Sequence, residues 1–281
     1  MFFWFVACNQ SDVQGETHGM PHIQPPWAHR SLSVTSHVRR GLGLLGLLVT
    51  LPALPQAPVD WVGRFNTDAP AWQEVRLGKA LTPNRFSQRL WDGVHAMEVH
   101  SNASMSLMAR PLAIDLAQTP VLCWRWRVQA VVATADMQQR KGDDYAARVY
   151  VSFKLPDEAM GFGLRTKLRL ARAIWGADLP DAALNYVWDN RHPVGTEQAN
   201  AYTDRAMMVV LRSGNAQAGR WVQERRDVGQ DVARLFDARA LAVQLAVTAD
   251  TDNTGQSAHA GFADFHFVPA DSPCQYPAFQ P

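Results

Sequence analysis

The sequence is poor in cysteine and has no excess of either charge. Three cysteines, Cys8, Cys123 and Cys274, are too few for a disulfide scaffold or a Cys-based zinc site. Its 27 Lys and Arg nearly cancel 26 Asp and Glu, so a broad basic surface is not its main device and nucleic acid is not an expected partner. H-E-x-x-H, G-x-S-x-G, a Walker loop and C-x-x-C are all missing, which removes support for zinc hydrolysis, serine hydrolysis and nucleotide chemistry. Beyond residue 57 the histidines are His95, His100, His192, His259 and His266, with no pair at helical metal spacing.

What is present divides at about residue 57. Residues 1–57 lack any hydrophobic period. The opening MFFWFV is far too short to span a bilayer. Arg39 and Arg40 precede the apolar run GLGLLGLLVTLPAL at 41–54, followed by Pro55, Gln56 and Ala57. A basic region, a short apolar region and small residues together read as a secretory signal over about 38–57. An alternative start at Val34 or Val38 accounts for the residues ahead of it. A membrane anchor would need a longer run, and Pro52 and Pro55 interrupt this one, so no stable span is expected after cleavage. Gly41, Gly43 and Gly46 spell G-x-G-x-x-G, but Pro52, Pro55 and Pro58 forbid the helix that a dinucleotide loop requires.

Residues 58–281 read as a single all-β domain. In VLCWRWRV at 121–128, Leu122, Trp124, Trp126 and Val128 share one face, and Cys123, Arg125 and Arg127 the other. That alternation is the period of a strand, because successive side chains point to opposite faces. YAARVYVSF at 145–153 places Tyr145, Ala147, Val149, Val151 and Phe153 inward and Arg148, Tyr150 and Ser152 outward. Further strands are expected at 94–99, 105–110, 184–189, 205–212, 220–226, 241–248 and 259–268. Two helices are expected, at 164–175 and 231–236. Short strands separated by Gly, Pro, Asn and Asp predict an antiparallel jelly-roll β-sandwich with one or two inserted short helices. The closing order of elements is like that of galactose-binding-like and other carbohydrate-binding modules.

Several segments in fixed order are more particular: LCWRWRV at 122–128, KGDDYAARVYVSF at 141–153, LNYVWDN at 184–190, ANAYTDR at 199–205, VLRSG at 210–214 and TADTDNTG at 248–255. Together they resemble the bacterial domain-of-unknown-function family 3047, from about residue 65 to residue 267. The resemblance implies no catalytic residue, since the family is named for lacking an assigned function.

Three groups of side chains are candidates for binding. Arg125, Arg127, Arg148 and Tyr150 point away from the core; Gln244, Thr248, Asp250 and Asp252 do so by parity. If their strands are neighbours, they form one polar face able to hold sugar hydroxyls or a carboxylate-bearing ligand. The other reading is cross-strand ion pairs that solvate an exposed sheet. An acidic group comprises Asp143, Asp144, Asp189 with Asn190, Tyr202 and Asp204 in YTDR, and Asp250, Asp252 and Asn253 in DTDN. Paired carboxylates serve acid/base work at a glycosidic bond, or hold calcium; Asp250, Asp252 and Asn253 are the calcium candidates, half of an EF-hand pattern. Turn chemistry explains each of these residues singly. Trp188 beside Asp189 is the candidate for stacking on a sugar ring, with core packing as its commoner fate. Cys123, in a central strand, reads as a free buried thiol rather than a partner of Cys274.

The sequence therefore predicts a periplasmic or secreted module that binds a polar small molecule or glycan. No catalysis and no required cofactor are expected. A glycan-active hydrolase or lyase using paired Asp residues, and a structural domain of the cell envelope, are the alternatives. Protein isolated from its native host is expected to begin between about Ala53 and Asp60. N-terminal sequencing that finds residues 1–40 retained would remove the export assignment.

Overall fold

The structure is a computed structural model that describes residues 59–66, 72–76, 80–175 and 180–280. The signal and domain boundary expected within residues 1–57 lie outside the described residues.

The described residues form two sheets. One runs β11-β6-β13-β4-β3, with β1 paired to β13 beside β4: β1 is Asp60–Gly63, β3 Arg85–Trp91, β4 Val94–Asn102, β6 Val121–Val128, β11 Val222–Asp227 and β13 Ser257–Val268. We call it the first sheet. The second runs β2-β5-β12-β7-β8-β10-β9: β2 is Gln73–Val75, β5 Leu107–Asp115, β7 Tyr145–Lys154, β8 Ala182–Asp189, β9 Glu197–Asn200, β10 Thr203–Ser213 and β12 Leu241–Asp250. Pairing is antiparallel except between β8 and β10, which are parallel because the chain passes through the edge strand β9 between them. This is the all-β sandwich that the alternating pattern implies. Two helices complete it, α1 at Phe162–Trp175 and α2 at Val228–Phe236. The second begins three residues before the expected start, because Asp227 caps it by accepting from the backbone N–H of Gln230 at 2.8 Å. Among the described residues no helix is long and apolar enough to cross a membrane.

β1, β2, β3 and β9 escaped the sequence reading. They are short or exposed edge elements: RFSQRLW of β3 buries fully only Trp91, and a polar edge strand carries little hydrophobic period.

The core lies between the sheets, where aliphatic side chains surround a set of packed rings. Trp124 stacks on Tyr186 at 5.6 Å and on Phe265 at 6.3 Å, and Trp126 meets Trp188 at 5.6 Å. Trp124, Trp126, Tyr186 and Trp188 are almost completely buried. Each such ring buries about 150–250 Å², which at about 25 cal/mol per Å² is an upper bound of about 4–6 kcal/mol apiece.

The outward faces are also largely covered, against the expectation of a solvated sheet. All eight residues of β6 are buried. On the first sheet the cover is the C-terminal tail. Pro277 O accepts from Arg125, Tyr276 donates to Glu224 O at 2.6 Å, and the backbone N–H of Gln280 donates to Gly93 O at 2.8 Å. The tail is anchored covalently: Cys123 is bonded to Cys274, with Cα atoms 5.8 Å apart. This corrects the expectation of a free Cys123. Its parity places it on the outward face with Arg125 and Arg127, and what buries it there is the tail that carries Cys274.

The bond closes a loop of 151 residues, a length for which chain entropy alone contributes about 5 kcal/mol. Cys274→Ala is expected to lower the unfolding free energy by roughly 2–5 kcal/mol in urea melts, with dithiothreitol lowering the wild type by a similar amount. Intact mass without reductant should be lighter by two hydrogens than with it; equal masses would show that the thiols are free.

Candidate functional site

Two polar constellations are built on this frame, one on each outer face. The polar face expected from the sequence does not exist as one surface, because β6 lies in the first sheet and β7 in the second.

On the second sheet, β7 and β12 are antiparallel neighbours, with Thr248 opposite Arg148 and Asp250 opposite Tyr145. The register shifts between Thr248 and Asp250, so two residues of β7, Ala146 and Ala147, face one of β12. A bulge of this kind re-aims the side chains beyond it. Tyr145, expected inward, joins Met137, Val187, Met208 and Val210 in a cluster outside the main core. Asp143 and Asp144 precede the bulge in a turn that needs Gly142. A Cβ there would stand 2.7 Å from the backbone nitrogen of Asp136, whose N–H donates to Gly142 O at 2.7 Å.

Arg148 is the centre. Its Nη1 lies 3.2 Å from Asp250 Oδ2 and 3.6 Å from Asp143 Oδ2, its Nε donates to Asn185 Oδ1 at 3.3 Å, and its guanidinium sits 4.6 Å over Tyr150 and 5.0 Å over Tyr145. Asp143 accepts from Tyr145 at 3.1 Å and from Asn200 Nδ2 at 2.8 Å. Asp144 accepts from the backbone N–H groups of Thr254 at 2.7 Å and Asn253 at 3.2 Å. Burial pushes the Asp143 carboxyl up although Arg148, Asn200 and Tyr145 pull it down. Burial also pushes Asp250 well up, opposed by Arg148 and aided by Asp144 and Asp252. Tyr202 stands at the rim, its hydroxyl 3.0 Å from both Arg140 O and Asn253 Oδ1.

The structure thus brings together Asp143, Asp144, Arg148, Tyr150, Tyr202, Asp250 and Asp252. It does not add the other candidates to them. Arg125 faces Asp264 on the first sheet at 3.0 Å, an ion pair under the tail in which burial pushes the Asp264 carboxyl up to about 6. Arg127 pairs with Asp92 at 2.5 Å. Trp188 is a core residue whose indole N–H donates to Gly214 O at 3.0 Å, not a rim residue open to sugar. Asp189 accepts from the backbone N–H groups of Arg191 at 2.7 Å and His192 at 2.6 Å, closing a turn. Asn190 donates to Ala133 O and Ala135 O and pins a loop. Asp204 is exposed on β10. A two-carboxylate hydrolase needs both groups at one glycosidic bond. Asp143, Asp144 and Asp250 are instead sealed from solvent.

The open site is one that sequence reasoning missed. A groove of about 690 Å³ on the outer side of the first sheet is lined by Arg85, His100, Asn102, Gln129, Ser257 and His259, among others. Its wall ends a stack of four groups. Arg127 lies 4.1 Å over Trp91, Trp91 stacks on His259 at 4.5 Å, and His259 stacks on His100 at 3.9 Å. Trp91 and Trp221 pass so close to β13 that a Cβ on residue 261 would meet them at 2.9–3.0 Å, hence Gly261. His259 Nε2 is 2.8 Å from Glu98 Oε1; a carboxylate only accepts, so that nitrogen carries the proton. Burial pushes the His259 pKa down, helped by His100 and Arg127 against the pull of Glu98. Burial raises Glu98, but hydrogen bonds from His259 and Ser87 and the charge of Arg89 outweigh it and leave the carboxyl low. Glu98, His100 and His259 lie close enough for one cation, yet the two rings are nearly parallel, at 19°. Their in-plane lone pairs run side by side instead of converging. The available signal was parity: Glu98 and His100 are two apart on one strand, and His259 faces His100 across the ladder.

Fold and site define a β-sandwich with a buried ionic network on one outer face and, on the other, an open groove at the end of a ring stack. The chain belongs to the family described as protein of unknown function (DUF3047), whose profile matches residues 70–266. No curated protein matches it. Among solved structures it is similar to the xyloglucanase domain of NopAA, a type three effector from Sinorhizobium fredii, in complex with cellobiose. The TM-score is 0.36 and the identity 8%, over 70% of this chain and 92% of that one. Tomato aspermy virus matches at a TM-score of 0.15 and 12% identity, over 81% of this chain and 92% of that one.

Removing one partner of a buried ionic cluster leaves uncompensated charge, whereas an exposed pair is nearly free to break. Arg148→Met is expected to cost roughly 3–5 kcal/mol. Arg89→Met, at a half-exposed side chain beside Glu98, should cost about 1 kcal/mol or less. Urea unfolding of both variants checks this; equal small losses would deny the Arg148 network its structural role.

Proposed function

We propose that the protein is an exported binding module for a polar small molecule, a glycan above all, and that the groove beside His100 is its binding site. The observation that carries this is the end of the Arg127–Trp91–His259–His100 stack, whose last two rings, His259 and His100, line the groove. A sugar ring packs its apolar face on such a surface while its hydroxyls need donors and acceptors at the edges. Asn102, Gln129 and Ser257 line the groove with those groups. Arg85 lines it too, and its planar fork suits the carboxylate of an acidic sugar. The volume falls within the ordinary range for small-ligand clefts, about 300–1,000 Å³. Export is supported by the signal-like segment at 38–57 and by the Cys123–Cys274 bond, which persists in oxidising compartments.

A glycan array of neutral and uronate-containing oligosaccharides, followed by titration of the best hit, tests the reading. His100→Ala is expected to weaken binding by about tenfold, the scale of one stacking contact. The melting temperature should be nearly unchanged, because that side chain is 43% exposed. Arg85→Ala should discriminate further, weakening acidic sugars more than neutral ones. An array with no hits, or hits whose affinity ignores both variants, would favour the cell-envelope interaction domain instead.

A further inference from the structure

More carboxyl groups gather at the Arg148 network than its one guanidinium contacts. Arg148 makes its ion pairs with Asp143 and Asp250. Asp144, Asp250 and Asp252 each place a carboxylate oxygen within 4.8 Å of those of the other two. Asp250 is 3% exposed, and its Oδ1 has no hydrogen-bond partner. The groups that crowd this carboxyl are those of Asp144 and Asp252. A buried carboxyl oxygen without a donor, crowded by two further carboxyl groups, is satisfied when a cation completes it.

We propose that Asp144, Asp250 and Asp252 form a binding site for a single calcium ion. The donor set is all hard oxygen, which suits calcium and disfavours zinc or copper, for which nitrogen and sulfur ligands are preferred. Magnesium keeps several of its waters and demands a near-ideal octahedron, whereas calcium accepts irregular carboxylate sets. The site differs from the Asp250–Asp252–Asn253 set expected from the sequence. Asn253 turns its Nδ2 toward Asp144 at 3.2 Å and Asp252 at 3.3 Å, while Tyr202 lies against its Oδ1. It therefore offers a donor where a ligand would need an acceptor, and Asp144 takes its place. The three ligands come from the lead-in to β7, the end of β12 and the turn before β13. An ion there ties the crossing between the two sheets, so its role is to brace the fold. The proposal does not depend on what the groove binds.

The experiment uses the full chain, stripped with EGTA and dialysed. Calorimetric titration with calcium chloride should show one site per chain with an affinity between about micromolar and millimolar, the range of calcium sites in sensors and extracellular modules. The melting temperature should rise on adding calcium and fall back with EGTA. Terbium should bind the same site with luminescence excited through nearby Tyr202. Asp252→Asn, at a half-exposed position that tolerates the change, should weaken calcium at least about tenfold, a loss of about 1.4 kcal/mol. The stripped variant should melt no lower than the stripped wild type, because one like charge is gone. Asp204→Asn, an exposed acid elsewhere on the chain, should leave binding intact. Absence of a calcium heat and of a melting shift would overturn the proposal. So would calcium affinity unchanged in Asp252→Asn, or magnesium binding as tightly as calcium.

Discussion

The aromatic contact between the sheets is the constraint on which the rest of the molecule depends. Trp124 and Trp126 project from β6 onto Tyr186 and Trp188 of β8. Strand geometry then leaves no choice for their neighbours: with a period of two, Cys123, Arg125 and Arg127 must leave the first sheet outward, and Asn185, Val187 and Asp189 must leave the second. The two polar constellations on the outer faces follow from how such outward residues are dealt with.

Each sheet deals with them differently. The first covers part of its outer face with the C-terminal tail, held by the Cys123–Cys274 bond, and leaves the rest as a groove at the end of a ring stack. The second buries its charges outright. Arg148 sits between Asp143 and Asp250 at 3.6 and 3.2 Å, with tyrosine rings against its guanidinium. Exposed ion pairs would contribute little to stability, whereas this set is out of water, so each partner is held to the others by the cost of separation. That distinction separates a structural network from a binding surface more reliably than residue type does, since both are rich in Arg and carboxylates.

The β-bulge at Ala146 and Ala147 shows how one extra residue alters chemistry. It sends Tyr145 to the Arg148 side, where its hydroxyl donates to Asp143 at 3.1 Å and its ring lies 5.0 Å from the guanidinium. Without the slip, the alternation of YAARVYVSF would have carried Tyr145 into the main core.

Much of the fold was legible in the residues themselves. Strict alternation located β6 and β7 and most of the interior strands, and the apolar set in 164–175 located α1, because local periodicity reports which face of an element is buried. The convergence of Asp144, Arg148 and Asp250 was half visible, since parity placed Arg148 and Asp250 outward on separate strands. Which strands stand side by side was not visible. Arg125 and Arg148 look alike along the chain and lie on opposite sheets, Trp188 sits in the core, and His100 meets His259 across a ladder that joins residues far apart in sequence. Period-two patterning determines the face of each strand. Only tertiary pairing decides its neighbours, its sheet and what covers it, because those depend on contacts between distant segments that no local pattern encodes.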